Sequence, residues 1–536
     1  MSPFTLERLL FTPVTPKSGA IPLIFAFPNE YSVGITSLGY QVIWAMLATH
    51  PDVAVSRLFT DCHEPLPNQP ELLGFSLSWE LDYINIFNLL ESLDIPLRAC
   101  DRQQQHPLIF GGGPVLTANP EPFADFFDVI LLGDGEHLLP SFIEAYQAVR
   151  FTDRQIQLHH LAAVPGVYVP IFYQVKYTER DGPISSIQPI APNFPIQVEK
   201  QTYRGKVFSA STVVTEKAAW ENIYMVEVVR SCPEMCRFCL ASYLTLPFRT
   251  ADLETSLIPA IARGLDVTDR LGLLGASVTQ HPEFEDLLDY LNRPAYDHIR
   301  LSIASVRTNT VTAKLAQTLV KHNTRSITIA VETGSDRLRR VINKKLTHDE
   351  IVEAARNARV GGLSHLKLYG MVGIPTEDWD DLEQTVALFR DLRQAAPGLR
   401  LTLGCSTFVP KAHTPLQWQG VNCDAEKRLQ FFQKKLRSQG IDFRPESYNW
   451  SVIQALLSRG DRRLSDLLER TRHYGATLGS YRRGFKELKG QLPPLEHYVH
   501  ANWPTTQVLP WSHLQGPLSQ ATLEKHLVTA TSNASN

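Results

Sequence analysis

Between residues 20 and 150, short apolar runs alternate with stretches whose apolar positions recur at helical spacing, the pattern of a parallel α/β sheet. IPLIFAF (21–27) reads as a strand, SLGYQVIWAMLATH (37–50) as a helix, VAVSRLF (53–59) and LLGFSLS (72–78) as the next strands, and YINIFNLLESL (83–93) as a further helix. PLIFGGG (107–113) and DVILLGDGE (128–136) end in glycines, as strands do when they open onto a ligand crevice. The pattern predicts a doubly wound, Rossmann-like domain over 1–150. It loosens over 151–220, where GVYVPIFYQVKY and PISSIQPIAPNFPIQV predict extended, edge-type segments of a connecting subdomain.

Regularity returns at 221. YMVEVVR (224–230), RLGLLGAS (270–277), HIRLSIASVR (298–307), SITIAVETGS (326–335), HLKLYGMVGIP (365–375) and RLTLGCSTFVPK (400–411) read as strands, with amphipathic helical patterns between them. Six such units over 221–420 are the layout of a partial (β/α)6 TIM-type barrel. Residues 421–536 predict a helical C-terminal region whose end, TATSNASN, frays.

Composition narrows the partners. Of 536 residues, 43% are hydrophobic and 20% charged, ordinary values for a chain with a large core. Lys and Arg number 52 against 55 Asp and Glu, a net charge of -3, which argues against a generally basic, nucleic-acid-coating protein. No run approaches the roughly 18 apolar residues a membrane helix needs. MSPFTLERLLFTPVTPKSG lacks the layout of a secretory signal, so a cytoplasmic setting is expected.

Seven cysteines are too few for a disulfide framework, yet Cys232, Cys236 and Cys239 fall within eight residues directly after the first barrel strand. In a reducing compartment such a cluster binds metal. The spacing presents three thiolates to one face of an iron–sulfur cubane and leaves the fourth iron without a protein ligand. Zinc is the rival, since it also takes thiolates; a structural zinc site needs a fourth ligand, and no second clip is present, though a distant His or Cys405 is chemically able to serve.

Cys-x3-Cys-x2-Cys with Phe238 before the last cysteine, after a barrel strand, resembles the radical S-adenosylmethionine (SAM) superfamily. The resemblance implies a [4Fe–4S] cluster held by Cys232, Cys236 and Cys239, SAM on the open iron, and reductive cleavage to a 5′-deoxyadenosyl radical, with a flavodoxin or ferredoxin as electron donor. ETGSDRLRRVINK (332–344) is similar to the fourth-strand segment of the branch containing methylthiotransferases and Elp3-like enzymes, and LYGMVGIPTE (368–377) to the fifth-strand motif that lies against the adenine. Candidate SAM contacts on this resemblance are Gly275, Ala276, Ser277, Ser305, Glu332, Gly334, Ser335, Gly370 and Gly373. Gly370 and Gly373 let a flat base approach the backbone, and the Glu332 carboxylate accepts hydrogen bonds from ribose hydroxyls unless it only caps a helix. One departure stands out: the second-strand motif, commonly Gly-Gly-Glu in the superfamily, reads Gly275-Ala276-Ser277, which keeps backbone contacts but has no carboxylate.

An α/β domain before such a barrel resembles the cobalamin-binding branch, with Gly111, Gly112, Gly113, Gly133 and Gly135 as a lip for the corrin; the bland alternative is turn glycines of any doubly wound sheet. Asp61-Cys62-His63 carries only part of the histidine-on cobalamin motif and is not counted as a ligand. Lys411, His413 and Trp418 of FVPKAHTPLQW line a substrate pocket or fold a closing loop. Residues 456–490 hold nine Lys/Arg and four Asp/Glu, a surface for RNA or a merely solvated helical face. The expected function is a radical SAM enzyme acting on a small molecule or RNA, with methyl transfer if cobalamin binds. The alternatives are cobalamin-independent modification and a non-catalytic iron–sulfur RNA-binding or assembly factor.

Overall fold

A computed structural model describes residues 2–534. Six strands, β1 (Ile21–Ala26), β2 (Val53–Leu58), β3 (Leu72–Ser76), β4 (Leu108–Gly112), β5 (Val129–Leu131) and β6 (Val167–Tyr168), form one sheet in the order β2-β1-β3-β4-β5-β6. All pairings are parallel except that of β5 with the edge strand β6. The near-continuous burial of β1, β3, β4 and β5 fits a sheet covered on both faces. Helices α1 (Leu38–Ala48), α2 (Tyr83–Ser92) and α3 (Gly135–Val149) lie between the strands or follow them. The chain order reverses between β1 and β3, and doubly wound sheets leave a crevice beyond the strand ends at that point.

The second unit is an open barrel of parallel strands: β7 (Ile223–Arg230), β8 (Arg270–Gly275), β9 (Arg300–Ile303), β10 (Ser326–Glu332), β11 (His365–Val372), β12 (Arg400–Thr407) and β13 (Asp442–Pro445). It forms as two four-stranded sheets, the first completed by Arg249–Thr250 running antiparallel to β7. A single bridge, Val306 to Ile329, joins them. The helices begin where the sequence provides caps: Thr347 and Glu350 form a reciprocal capping box at His348–Val360, as do Asp378 and Asp381 at Trp379–Ala395. Alternate strand residues Ile327, Ile329, Leu366, Leu368, Leu401 and Leu403 pack in one core with helix residues such as Leu315, Ala355 and Phe389. The other face of those strands therefore turns to the barrel interior.

Four features depart from expectation. A seventh strand, β13, lies inside the stretch expected to be wholly helical, paired along β12. Helix Arg154–Leu161 interrupts the segment expected to be extended, although the hairpin Tyr173–Tyr177 with Ile184–Pro189 follows as expected. The end does not fray over its described length: helix α5 (Gln520–Ala534) covers the TATSNA part of TATSNASN, the remainder lying outside the described residues, and α5 buries Ala530 against helix α4 (Asp336–Val341). Finally, the helices of 448–487 share one core with the N-terminal sheet: Leu456, Leu467 and Tyr481 pack there, and the Tyr481 and Tyr83 hydroxyls are 2.6 Å apart. Among the described residues no helix is long and apolar enough to cross a membrane.

Candidate active site

The cysteine loop leaves the C-terminal end of β7 through two non-glycine residues in the left-handed region, Ser231 (φ 70°) and Met235 (φ 55°). Such conformations persist only where the surroundings impose them. Here the segment 332–344 does so. Asn343 Nδ2 donates to the carbonyls of Glu234 and Met235 at 3.0 and 2.9 Å, and the Arg237 guanidinium donates to those of Arg340 and Val341 at 2.8 and 2.7 Å. From the other side, Gln280 Nε2 donates to Glu234 Oε1 at 2.6 Å, while Arg307 and Lys345 hold the second oxygen of that carboxylate.

Cys236 is buried and Cys232 and Cys239 are half-buried, each near enough to the others for ionised thiols to repel. Burial pushes the Cys236 thiol up to about 12 and also raises Cys239, so neither is a reactive free thiolate unless a cation is bound. Lys344 is the cation that opposes the rise at Cys236, its Nζ lying 3.1 Å from Glu332 Oε1. Burial works against the Lys344 ammonium, but Glu332 and Cys236 outweigh it and hold its pKa above the ordinary value. Among the described residues no group of three His, Cys, Asp or Glu side chains converges on one metal-ion position. The donor set is instead three thiols on one short loop with the Lys344 and Arg237 cations beside them, which suits an anionic cubane that takes one thiolate at each of three corners. Lys344 is a functional candidate that sequence reasoning missed, because a lysine in a polar segment carries no signal until the fold turns it inward.

Glu332 sits at the mouth, at φ 65°, directly after a register shift in β10 against β11. Such a bulge re-aims a side chain next to a site. Gly275 (φ 153°) ends β8 against β7, where a Cβ would stand 2.6 Å from the Val229 carbonyl. Ala276 is half-buried, the Ser277 hydroxyl bonds Gln280, and Ser305 (φ 54°) is exposed just past β9. Gly334 and Ser335 serve the fold: Gly334 donates its N–H to Thr385, and Ser335 caps α4 while its hydroxyl bonds Asp381 at 2.6 Å. Gly370 is buried beside Leu403 and the Glu332 carbonyl. Gly373 (φ 74°) donates its N–H to Glu377 Oε2 at 2.6 Å, and Arg428 holds the same oxygen at 2.8 Å. Phe238 packs with Leu338, Phe408, Leu416 and, on α5, Leu527 and Ala530, so α5 covers the outer side of the loop.

A cavity of about 450 Å³ lies between the carboxyl ends of the N-terminal strands and the barrel mouth. Gly112, Gly113, Gly133 and Gly135 line it from one side, and Glu227, Leu274 and Gly275 from the other. Gly111 does not belong to that lip: a Cβ there would run into Leu116 and Phe127 on the far side of β4. His63 is absent from the lining and has its Nδ1 2.7 Å from the Glu64 carbonyl. Arg230, next to the cysteine loop, ties the two sides by donating to Glu227 and to Glu136, with Asp134 near.

The loop FVPKAHTPLQW is a closing loop. Lys411 pairs with Glu80 and Ser458, His413 is buried against the Ala118 carbonyl, and Trp418 is fully buried. In the basic stretch 456–490, Arg459 stacks on Trp503, Arg462 pairs with Glu121, Arg463 with Asp461, Arg472 with Glu91 and Arg483 with Glu487, while Arg470, Arg482, Lys486 and Lys489 are exposed.

Comparison with known proteins adds family information. Residues 226–389 match the family described as Radical SAM superfamily, and residues 63–170 the one described as Radical SAM proteins, N-terminal. The uncharacterized protein MJ0966 of Methanocaldococcus jannaschii is 27% identical over 446 residues, which cover 83% of this chain and 89% of that protein. Among solved structures, the radical SAM methyltransferase TsrM of Kitasatospora setae, with cobalamin and a [4Fe–4S] cluster bound, aligns at TM-score 0.49 and 14% identity over 74% of this chain and 77% of its own. The cobalamin-dependent enzyme OxsB with aqua-cobalamin aligns at 0.48 and 12% over 85% and 67%.

Proposed function

Because this chain carries a radical SAM superfamily domain and is a radical SAM enzyme, binding a [4Fe–4S] cluster and SAM, we propose that it also binds cobalamin and transfers a methyl group. The observation that carries this reading is the glycine-lipped cavity that runs from the switch point of the N-terminal sheet to the barrel mouth at Gly275. Gly112, where a Cβ would meet nothing closer than 3.8 Å, leaves backbone open to a large flat ring, and the apolar side chains Phe25, Phe75 and Leu139 suit its edge and face. Among the described residues lining the cavity there is no His, Cys or Met, so shape and backbone would hold a corrin there.

When loaded, the cofactors supply reductive cleavage of SAM and a methyl carrier; the residues supply placement. Cys232, Cys236 and Cys239 hold three cluster corners. Lys344, the cation beside Glu332 and Cys236, would meet the SAM carboxylate, and Glu332 would accept from the ribose hydroxyls. Gly370 and Gly373 leave room for the adenine, with Glu377 fixing the Gly373 backbone. Arg230 holds the corrin lip in register with the cluster loop through Glu136 and Glu227. ETGSDRLRRVINK, clamped on the cysteine loop, supports a core of the methylthiotransferase and Elp3-like branch. Seven unpaired cysteines support a reducing, cytoplasmic setting and a flavodoxin or ferredoxin donor.

Protein purified anaerobically from cells supplied with cobalamin is expected to hold stoichiometric corrinoid and to form 5′-deoxyadenosine when reduced with SAM. Cluster and SAM cleavage without corrinoid would leave a radical SAM enzyme and remove the methyltransferase reading.

A further inference from the structure

The inner wall of the barrel carries a lysine and an open aromatic face on one strand. Along β11 the residues facing inward are Lys367 and Tyr369, since Leu366 and Leu368 alternate with them into the helix-packed core. Tyr369 is 59% exposed although its strand is central, with β10 on one side and β12 on the other. Its register neighbours are Ala330 and Gly404, and its ring leans over Gly404, where a Cβ would stand 3.3 Å from it. Two small neighbours leave a flat aromatic face open to the interior, an arrangement suited to stacking.

One rung deeper, Lys367 lies between Thr328 and Thr402. Its ammonium has no hydrogen bond or ion pair among the described residues, and the carboxylates nearby in the barrel are engaged: Glu227 by Arg230, Glu332 by Lys344 and Asp442 by Arg444. A cation on a concave wall without an internal counter-ion attracts an anion from solution. Three residues of strand separate Lys367 from Gly370 at the mouth, about 10 Å.

We propose that the substrate is a small molecule in which a flat unsaturated ring, stacked on Tyr369, is joined to a carboxylate or phosphate held by Lys367. This deepens the reading that chemistry takes place at the barrel mouth, and rests on it. The anionic group anchors the molecule at depth and leaves the ring end, about 7 Å away along the strand, nearer the mouth.

The test uses cluster-loaded protein with SAM, and the probes 4-phenylbutyrate, phenyl phosphate and neutral 4-phenylbutyramide, with binding followed by ligand-observed NMR. One or both anions are expected to bind the wild type, and which of them does so separates carboxylate from phosphate recognition. Lys367→Met should weaken anion binding about tenfold, with Lys367→Arg restoring part of it. The amide should bind weakly and be indifferent to Lys367, while Tyr369→Ala weakens every probe. Absence of anion binding to the wild type, equal binding to Lys367→Met, or preference for the amide overturns the inference. Iron, corrinoid and 5′-deoxyadenosine measured on the same samples keep this outcome separate: a preparation free of corrinoid that still binds the anion through Lys367 removes the methyltransferase reading and leaves the site.

Discussion

Lys344 Nζ stands 3.1 Å from Glu332 Oε1, and the pair adjoins the Cys236 thiol. An acid and a base twelve positions apart in a polar segment thus become one ion pair beside the cysteine loop. Replacing Lys344 by Met should leave iron and sulfide content unchanged and weaken SAM binding about tenfold, measured by equilibrium binding to the reconstituted protein. Loss of the cluster in that variant would assign Lys344 to cluster retention instead.

Cys236 is the most buried of the three thiols. Cys236→Ala should abolish the cluster, seen as loss of iron, sulfide and the broad visible absorption. Retained stoichiometric iron and sulfide would contradict the ligand assignment.

Gly112 separates shape from folding. A Cβ there meets nothing closer than 3.8 Å, whereas one at Gly113 would strike the Leu77 carbonyl at 2.5 Å, and one at Gly133 the Gln201 carbonyl at 2.0 Å. Gly112→Leu should therefore fold and keep its cluster while corrinoid falls to background, measured by cyanide extraction. Undiminished corrinoid would place it elsewhere.

Glu80 and Lys411 form a buried ion pair between the N-terminal sheet and the loop after β12, with Ser458 on both partners. Lys411→Met leaves a carboxylate buried without its cation and should cost roughly 3–5 kcal/mol in denaturant unfolding, with Glu80→Gln added to it recovering part. An unchanged midpoint would mean that the two units are held by apolar packing alone.

Glu377 sets a pH dependence. Burial lifts its pKa to about 7, against the pull of the Gly373 amide and Arg428. The folded protein therefore keeps a proton that the unfolded chain releases, and this residue's contribution to stability falls as pH rises from 4.5 towards 7, by on the order of 3 kcal/mol, and is level beyond. Thermal melts of Glu377→Gln should lack that slope; a parallel pH profile would show that Glu377 is ionised throughout.

The strands and the cysteine loop were legible because buried parallel strands need apolar runs and because three clustered thiols have few other uses. Gly112 was legible as a strand-end glycine, but that Gly111 faces the other side depends on Phe127 and Leu116, which arrive from elsewhere in the chain. Strand β13, Asp442–Pro445, escaped notice since four residues with one apolar side chain carry no periodicity; pairing along β12 makes it a strand. Helix α5 looked like a polar tail because Leu527 and Ala530 are a thin stripe, sufficient only against the apolar patch of Phe238 and Leu338. Lys344 and Lys367 carry no signal in the sequence, because only the turn of their strand or segment decides which way they face.

Helix α5 has a consequence for assembly. It lies almost three hundred residues downstream of the loop it covers. During synthesis the three thiols are made, and the strand bearing them placed, long before their cover exists. Until α5 is made, the apolar patch on which Phe238 packs lacks the helix that completes it with Leu527 and Ala530.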